Sequence, residues 1–308
     1  MTDQKRQQAR DDARNRFLAA CSLAGASTTA YRNVPAGDSR SPVWVDIARL
    51  GAPDASAVLI LSCGLHGVEG FCGSTIFTDW LSEGRQRRLA PDTGMIFIHA
   101  ILPEGVGAGG LAAPDARSDR NWSDNILNAA ARRFARYARA KGLSGTGEPE
   151  APAADTRPAW LIDIFQSIAQ EACEHARDIG LIEFHTSLLP AGAVNVASCH
   201  KPDTAGDRRV RDWFGEESGT GDDGPAALDC FALGFGDRLR EHTLTAAHAD
   251  FGTYTTRSVL RLEARRTAAE RRADIGGLFF PDSKAWRDMV RAEGARIIGL
   301  ALDGLARR

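Results

Sequence analysis

His66 and Glu69 form an H-x-x-E motif among closely spaced glycines, and these residue types can bind zinc. Zinc accepts imidazole nitrogen and carboxylate oxygen at about 2 Å, and a catalytic site with three protein ligands leaves the fourth position for water. A third ligand is therefore needed. The best candidate is His185, because it directly follows another apolar run, as His66 does. The sequence thus predicts a zinc ion held by His66, Glu69 and His185.

The other histidines occupy less suitable positions. His99 lies within an apolar run and His175 within a predicted helix, which favours packed or solvated side chains. No glycine-framed strand end precedes the remaining three, which are His200, His242 and His248.

Two further interpretations stay open at this point. Glu183 lies two residues before His185 and would share its face of a pleated strand, since side chains alternate along a strand. It would then hold a metal ligand in place or act as a structural acid. Alternatively, His66 and His185 are packed core histidines and no metal is bound.

Strands and helices alternate along the chain and must position these residues. Continuous apolar runs, typical of strands covered on both faces, occupy residues 57–62, 95–102 and 179–184, and residues 43–47 alternate as a half-buried strand. Helices are predicted at 10–24, 68–82, 126–141 and 159–176. This order favours an α/β three-layer sandwich, with a mixed, mostly parallel twisted sheet and helices on both faces.

The position of the motif agrees with this architecture. Sites in α/β sheets form beyond the carboxyl ends of strands, and both His66 and His185 follow predicted strands. Glycines at 64, 67 and 70 allow the backbone to turn sharply there. The Gly- and Pro-rich residues 142–158 and the polar, Gly-rich residues 215–224 are predicted as surface loops, so residues 1–308 are expected to form a single domain.

Composition narrows the possible partners. The 308 residues are 43% hydrophobic and carry a formal net charge of −2 without a basic stripe, which argues against nucleic acid. No apolar run approaches the roughly 20 residues of a membrane helix. The charged first residues do not resemble a signal peptide, and the six cysteines lie in unlike segments, so a cytoplasmic location is expected.

Residues 61–74, LSCGLHGVEGFCGS, resemble the signature of the bacterial DUF2817 family, a branch of the M14 metallocarboxypeptidase-like superfamily. Shorter motifs extend the resemblance over most of the chain, in the order 119–122 (DRNW), 183–187 (EFHTS) and 250–254 (DFGTY). The resemblance implies the fold of zinc carboxypeptidases, which is also called phosphorylase/hydrolase-like, and a zinc site.

The resemblance also implies roles for individual residues. His66, Glu69 and His185 would hold the zinc. Arg120 would face the cleft, where a guanidinium can pair with a substrate carboxylate or polarise a carbonyl, and the neighbouring Asn121 would bind substrate. The implied activity is hydrolysis of amide or peptide bonds, in a small peptide or in an N-acyl amino acid. A carboxypeptidase and an amino-acid deacylase or amidase are both compatible with it.

The sequence departs from the family pattern at the catalytic positions. Asp250 stands where the superfamily has its glutamate base, and its side chain is shorter by roughly 1.5 Å. Glu263 is a rival base, or a carboxylate on an Arg-rich helix. Residues 102–113 are mostly Gly and Ala where related chains carry arginine, which would leave electrophilic help to Arg120 or Arg117. Asp119 stands where the family has Asn, which also indicates weaker electrophilic support. The alternative is therefore a catalytically weakened zinc- or ligand-binding homologue.

Overall fold

The computed structural model describes residues 3–33, 43–64, 70–100, 163–164, 167–168, 170–171, 174–187, 189–218, 242–255, 258 and 279–307. The strands there are β1 (Ser27–Asn33), β2 (Val43–Gly51), β3 (Ala57–Cys63), β4 (Thr93–His99), β5 (Asp178–Ser187), β6 (Val194–Ser198) and β7 (Thr243–Gly252). The helices are α1 (Asp3–Ala24), α2 (Phe71–Ser82), α3 (Ala205–Phe214) and α4 (Lys284–Ala306).

Within these residues the seven strands form one mixed sheet in the order β1-β2-β4-β3-β5-β7-β6. The four central strands β4, β3, β5 and β7 are parallel, while β2 is antiparallel to β4, β1 to β2 and β6 to β7. The carboxyl ends of β3, β5 and β7 therefore lie side by side at one edge of the sheet.

One face of the sheet is covered by the four helices. Its core contains the aromatic side chains Phe17 of α1, Phe77 of α2, and Phe97 and Phe184 of the strands, all fully buried. Helix α4 approaches α2 closely at Gly294, where an added Cβ would lie 2.5 Å from atoms of Ile76. Small residues thus allow the helical layer to pack tightly on this face.

The opposite face has its own apolar cluster. Ile60, Ile98 and Leu181 of the strands pack there with Ile164 and Ile168, which belong to helical residues between β4 and β5. Helical residues therefore contact both faces of the sheet, and the prediction of an α/β fold with a mixed, mostly parallel sheet is confirmed.

The predicted strands at 43–47, 57–62 and 179–184 are confirmed as β2, β3 and β5, and 95–102 overlaps β4. The predicted helices at 10–24 and 68–82 overlap α1 and α2. Strands β1, β6 and β7 and helices α3 and α4 were not predicted from the sequence. The predicted helix at 126–141 and the loop at 142–158 lie outside the described residues. In the described part of the chain, no helix combines the length and apolar character needed to span a membrane.

Candidate metal centre

Four titratable side chains lie together on one face of the sheet, near the carboxyl ends of β5 and β7. In the parallel register between these strands, Glu183 is opposite His248 and His185 is opposite Asp250. Side chains two residues apart on a strand share a face, so all four point to the same side. Each imidazole therefore has a carboxylate as its neighbour both along its own strand and across the strand pair.

Asp250 lies between the two imidazoles. Its Oδ1 is 2.8 Å from Nδ1 of His185, and its Oδ2 is 3.4 Å from Nε2 of His248. The two histidine rings are stacked, with centroids 5.4 Å apart and planes inclined by 18°. Both carboxylate oxygens of Asp250 are thus turned toward histidine nitrogens.

The charge state of Asp250 follows from these neighbours. Burial alone raises the pKa of a carboxyl, and Asp250 is only 7% exposed. His185 and then His248 act in the opposite direction and together hold the pKa of Asp250 well below its usual range. The group is therefore an ionised carboxylate near neutral pH.

Glycines bring the end of β3 and the start of α2 into contact. Gly64 has a positive φ of 87°, and a Cβ added to Gly70 would lie 2.0 Å from the Cα of Gly64. A Cβ on Gly73 would lie 2.4 Å from the Cβ of Cys63 and 3.0 Å from that of Phe184. The first turn of α2 therefore lies directly against the ends of β3 and β5.

This contact fixes both attachment points of the H-x-x-E motif. Cys63 and Phe184 form the last register pair between β3 and β5, so Gly64 and His185 each follow it directly. Residues 65–69 carry His66 and Glu69 and lie outside the described residues, but they are joined to Gly64 on one side and to Gly70 on the other.

Of the predicted zinc ligands, His185 lies in the described part of the chain, where its ring is next to a carboxylate. Metal-binding histidines usually donate their second ring N–H to a carboxylate or carbonyl, which fixes the tautomer and the ring orientation. Nδ1 of His185 lies 2.8 Å from Oδ1 of Asp250. If zinc is bound here, the predicted ligands are His66, Glu69 and His185, of which the described residues include His185.

The end of β7 is held by several backbone contacts. Nε1 of Trp286 donates to the carbonyl of Gly252 at 2.8 Å, and the Gly252 N–H donates to the carbonyl of Ala193 at 2.8 Å. A Cβ on Gly252 would lie 2.1 Å from the carbonyl oxygen of Pro190, so only glycine fits this position. Asp250, two residues earlier, is consequently placed on rigid backbone.

Comparison with known families decides the relationship. The model of the family described as "Protein of unknown function (DUF2817)" matches residues 8–108 and 155–293, which is more than half of the chain. The chain belongs to the DUF2817 family. No curated protein matches its sequence.

Solved structures resemble this DUF2817 protein only distantly. A Zn-dependent exopeptidase from Parabacteroides distasonis is 10% identical with a TM-score of 0.44, over 97% of this chain and 90% of that chain. A glutaminyl cyclase from Porphyromonas gingivalis is 12% identical with a TM-score of 0.41, over 93% of this chain and 86% of that chain.

The structure of this DUF2817 protein brings two of the predicted site residues together, namely His185 and Asp250. Five others lie outside the described residues, and these are His66, Glu69, Arg120, Asn121 and the rival base Glu263; Arg117 and Asp119 do so as well. Among the residues that are described, no three His, Cys, Asp or Glu side chains form a metal site. The predicted zinc triad therefore stays a prediction.

His248 is the residue that sequence reasoning missed. It contacts Asp250 and stacks on His185, although no glycine-framed strand end precedes it. The available signal was the pair of patterns E-x-H at 183–185 and H-x-D at 248–250, because each places two titratable groups on one strand face.

Two other histidines have structural roles in the fold. His99 is buried, contacts Ser74 Oγ through Nε2 at 2.9 Å and stacks on Phe17 at 4.5 Å. Burial and then the charge of Arg14 lower the pKa of His99 to about 3, so its imidazole is neutral. His200 accepts the Ala246 N–H at 2.9 Å. These contacts place both imidazoles within the packed fold, and that neither is a metal ligand stays a prediction.

Two buried cysteines have little thiolate character. Burial raises the pKa of the Cys63 thiol, and burial followed by the charge of Asp46 raises the pKa of Cys21 to about 12. Cys199 is disulfide-bonded, and its partner lies outside the described residues. Disulfide bonds are typical of oxidising compartments, so the cytoplasmic location stays a prediction.

Proposed function

We propose that this DUF2817 protein is a zinc-dependent hydrolase of amide or peptide bonds, of the M14 metallocarboxypeptidase-like type, with His66, Glu69 and His185 as zinc ligands. One observation carries the proposal. His185 lies two residues before the end of a central parallel strand, with Nδ1 2.8 Å from a buried carboxylate and beside the glycine contact from which the H-x-x-E segment starts.

The residues of the chain have separate tasks in this proposal. When bound, zinc supplies a Lewis acid and lowers the pKa of water to about 7. Asp250 lies beside His185, with Oδ1 2.8 Å from Nδ1. Arg120 pairs with the substrate carboxylate or with the negative charge that develops on the scissile carbonyl, and Asn121 binds the substrate beside it.

A carboxylate must accept the proton of the attacking water. Sequence reasoning offered Asp250 for this task and Glu263 as its rival. A general base needs to come within about 3 Å of the proton that it removes. Both oxygens of Asp250 face imidazole nitrogens, and comparison of the turnover of Asp250→Asn and Glu263→Gln decides between the two carboxylates.

We propose substrates that combine an amide with a nearby carboxylate, since Arg120 is suited to a bidentate pair with that group. Peptides with a free carboxyl terminus and N-acyl amino acids both meet this description. The test is turnover of the two substrate panels by zinc-loaded protein and by Arg120→Met. Turnover of either panel, with KM raised in the variant, supports the proposal, and zinc-loaded protein without turnover of either panel contradicts it.

A second candidate is a zinc-containing protein that binds carboxylate ligands without hydrolysing them. The specific observation in its favour is the engagement of both Asp250 oxygens, together with the shorter acid at the base position. Calorimetric titration with an N-acyl amino acid distinguishes the candidates, because only the second combines saturable binding with intact ligand after long incubation.

A further inference from the structure

We propose that His200 is an acid-sensitive latch on the sheet. As a neutral imidazole it holds the chain that follows β6 against the outer edge of β7, and on protonation it releases that chain. The latch lies on the half of β7 away from Asp250 and does not rest on the proposed zinc site. It gives a task to a histidine that has none in the proposed hydrolysis.

The outer edge of β7 extends beyond β6. Strand β6 ends at Ser198, before it reaches the first residues of β7. Opposite residues of an antiparallel pair can exchange two hydrogen bonds, and the first of these forms here, because the Cys199 N–H donates to the Ala246 carbonyl at 3.0 Å. The second is replaced, since the Ala246 N–H donates to Nε2 of His200 at 2.9 Å. The side chain of His200 thus takes the place of a strand carbonyl.

Helix α3 covers the same edge with a second side chain. Arg209 donates to the Leu244 carbonyl through Nη2 at 2.6 Å and to Thr245 Oγ1 through Nε at 2.9 Å. The ring of His200 lies directly against the first turn of this helix, where a Cβ added to Gly206 would be 2.3 Å from Nδ1 and 2.4 Å from Cε1. The His200 ring is therefore held between α3 and β7.

The direction of the hydrogen bond to His200 makes it sensitive to acid. An imidazole nitrogen accepts a hydrogen bond only while it carries no proton, so the neutral ring has its proton on Nδ1. Protonation adds a hydrogen to Nε2 and places it against the Ala246 N–H, so that two donors face each other. The bond is then lost, and the amide of Ala246, a residue that is 1% exposed, loses its acceptor.

The surroundings of His200 favour the neutral ring. Burial and then the charge of Arg209 lower the pKa of His200 from its ordinary value of 6.5, while Asp207 acts in the opposite direction. On the strands its contacts are uncharged, because the His200 N–H donates to Ser198 Oγ at 3.1 Å and Ala246 donates to the ring. In the released chain the imidazole regains its ordinary pKa. Release therefore becomes more favourable as the pH falls from 6.5 toward the lowered value.

His242, which directly precedes β7, has the opposite kind of partner. Its Nδ1 lies 2.9 Å from the carbonyl of Ala176, which is an acceptor. A ring nitrogen that donates to a carbonyl keeps its hydrogen bond when the imidazole is protonated. Both histidines lie near the end of β7 that is far from Asp250, but His200 faces a donor and His242 faces an acceptor. His242 is therefore a matched control.

The test is amide hydrogen exchange of the full-length protein, followed by NMR between about pH 7.5 and about pH 4.5 and expressed as a protection factor at each pH. Protection of the Ala246 N–H is expected to be constant down to about pH 6.5 and then to fall by up to about tenfold per pH unit, the limit for one proton. The reference is the Arg177 N–H, which donates to the Ser56 carbonyl at 2.8 Å and should show no such loss.

Three variants isolate the imidazole. His200→Gln supplies an acceptor that does not titrate, so protection of Ala246 should not depend on pH. His242→Gln should keep the wild-type loss of protection. Gly206→Ala displaces the ring of His200 through the added Cβ and should lower the protection of Ala246 at every pH. Circular dichroism spectra verify that each variant is folded, and if Gly206→Ala does not fold, His200→Gln decides.

The outcomes separate the latch from the proposed function. Constant protection of Ala246 in wild type over this pH range would overturn the latch, and so would an equal loss in His200→Gln and wild type. A loss in wild type and in His242→Gln, together with pH-independent protection in His200→Gln, supports it. None of these measurements requires zinc or turnover, so failure of the latch leaves the proposed hydrolase unaffected, and failure of the hydrolase leaves the latch unaffected.

Discussion

The backbones of Gly64 and Gly70 are in direct contact, so that a Cβ on Gly70 would lie 2.0 Å from the Cα and 2.2 Å from the amide nitrogen of Gly64. The chain therefore leaves β3 and enters α2 at nearly the same place. The five residues between these glycines carry His66 and Glu69, two of the three proposed ligands. This contact is how the fold ties the H-x-x-E motif to the strand end next to His185.

Gly70→Ala should destabilise the protein and weaken zinc binding. Gly70 has φ −81° and ψ −7°, which alanine adopts without strain, so the cost comes from the contact with Gly64 alone. Overpacking of this kind costs about 1–3 kcal/mol, to be measured by urea unfolding. The control is Gly299→Ala in α4, where an added Cβ meets no atom within 4 Å and should stabilise the helix by about 0.5–1 kcal/mol. Equal stabilities of Gly70→Ala and wild type would contradict the contact.

Arg14→Met should lower the free energy of unfolding by about 3 kcal/mol. Arg14 of α1 donates to Asp46 of β2 through Nε at 2.6 Å and Nη2 at 2.8 Å, and Asp46 is 1% exposed. Removal of one partner leaves a buried charge uncompensated. The exposed pair of Arg85 and Glu83 is the control, since Arg85→Met should cost no more than about 1 kcal/mol. Similar losses in the two variants would refute the structural role of the Arg14 pair.

His99 should make stability depend on pH between about 6.5 and 3. The pKa of His99 is lowered by burial and then by Arg14, from 6.5 to about 3. Between these two pH values, His99 is protonated in the unfolded chain and neutral in the folded protein. The stability is complete above pH 6.5 and falls by up to about 1.4 kcal/mol per pH unit as the pH decreases toward 3.

Urea unfolding at pH 7.5, 6 and 5 measures this dependence. His99→Gln should show a shallower loss of stability with acidification than wild type. Ser74→Ala removes the partner of His99 Nε2 but keeps the imidazole, so it should be less stable at every pH with the wild-type slope. If the free energy of unfolding depended on pH equally in His99→Gln and in wild type, the role of His99 would be contradicted.

The central strands, and the titratable residue His185 near the end of one of them, could be predicted from the sequence. A strand that is buried on both faces has a run of apolar residues, which is visible locally. The runs that became β3, β4 and β5 are predominantly apolar, and His185 directly follows the last of them. In β7 the signal is absent, since the strand reads TLTAAHADFG, with alanines in the core and titratable residues on the other face. Low β-propensity of Ala, His and Asp concealed this strand.

Missing β7 also concealed the role of His248. Its contact with Asp250 and its stack on His185 depend on the register between β5 and β7, which pairs residues more than 60 positions apart. A sequence pattern places titratable groups on one strand face, but it does not align two strands. The same limit applies to Asp250, which the motif identified as a base and which the register places against a proposed metal ligand.

The zinc content of untagged protein, measured by elemental analysis after exhaustive dialysis, tests the central claim most directly. We expect one zinc ion per chain in wild type and in the control His242→Gln, and loss of most of it in His66→Gln, Glu69→Gln and His185→Gln. Full zinc content in those three variants, or no zinc in the wild-type protein after incubation with the metal, would contradict the proposed site.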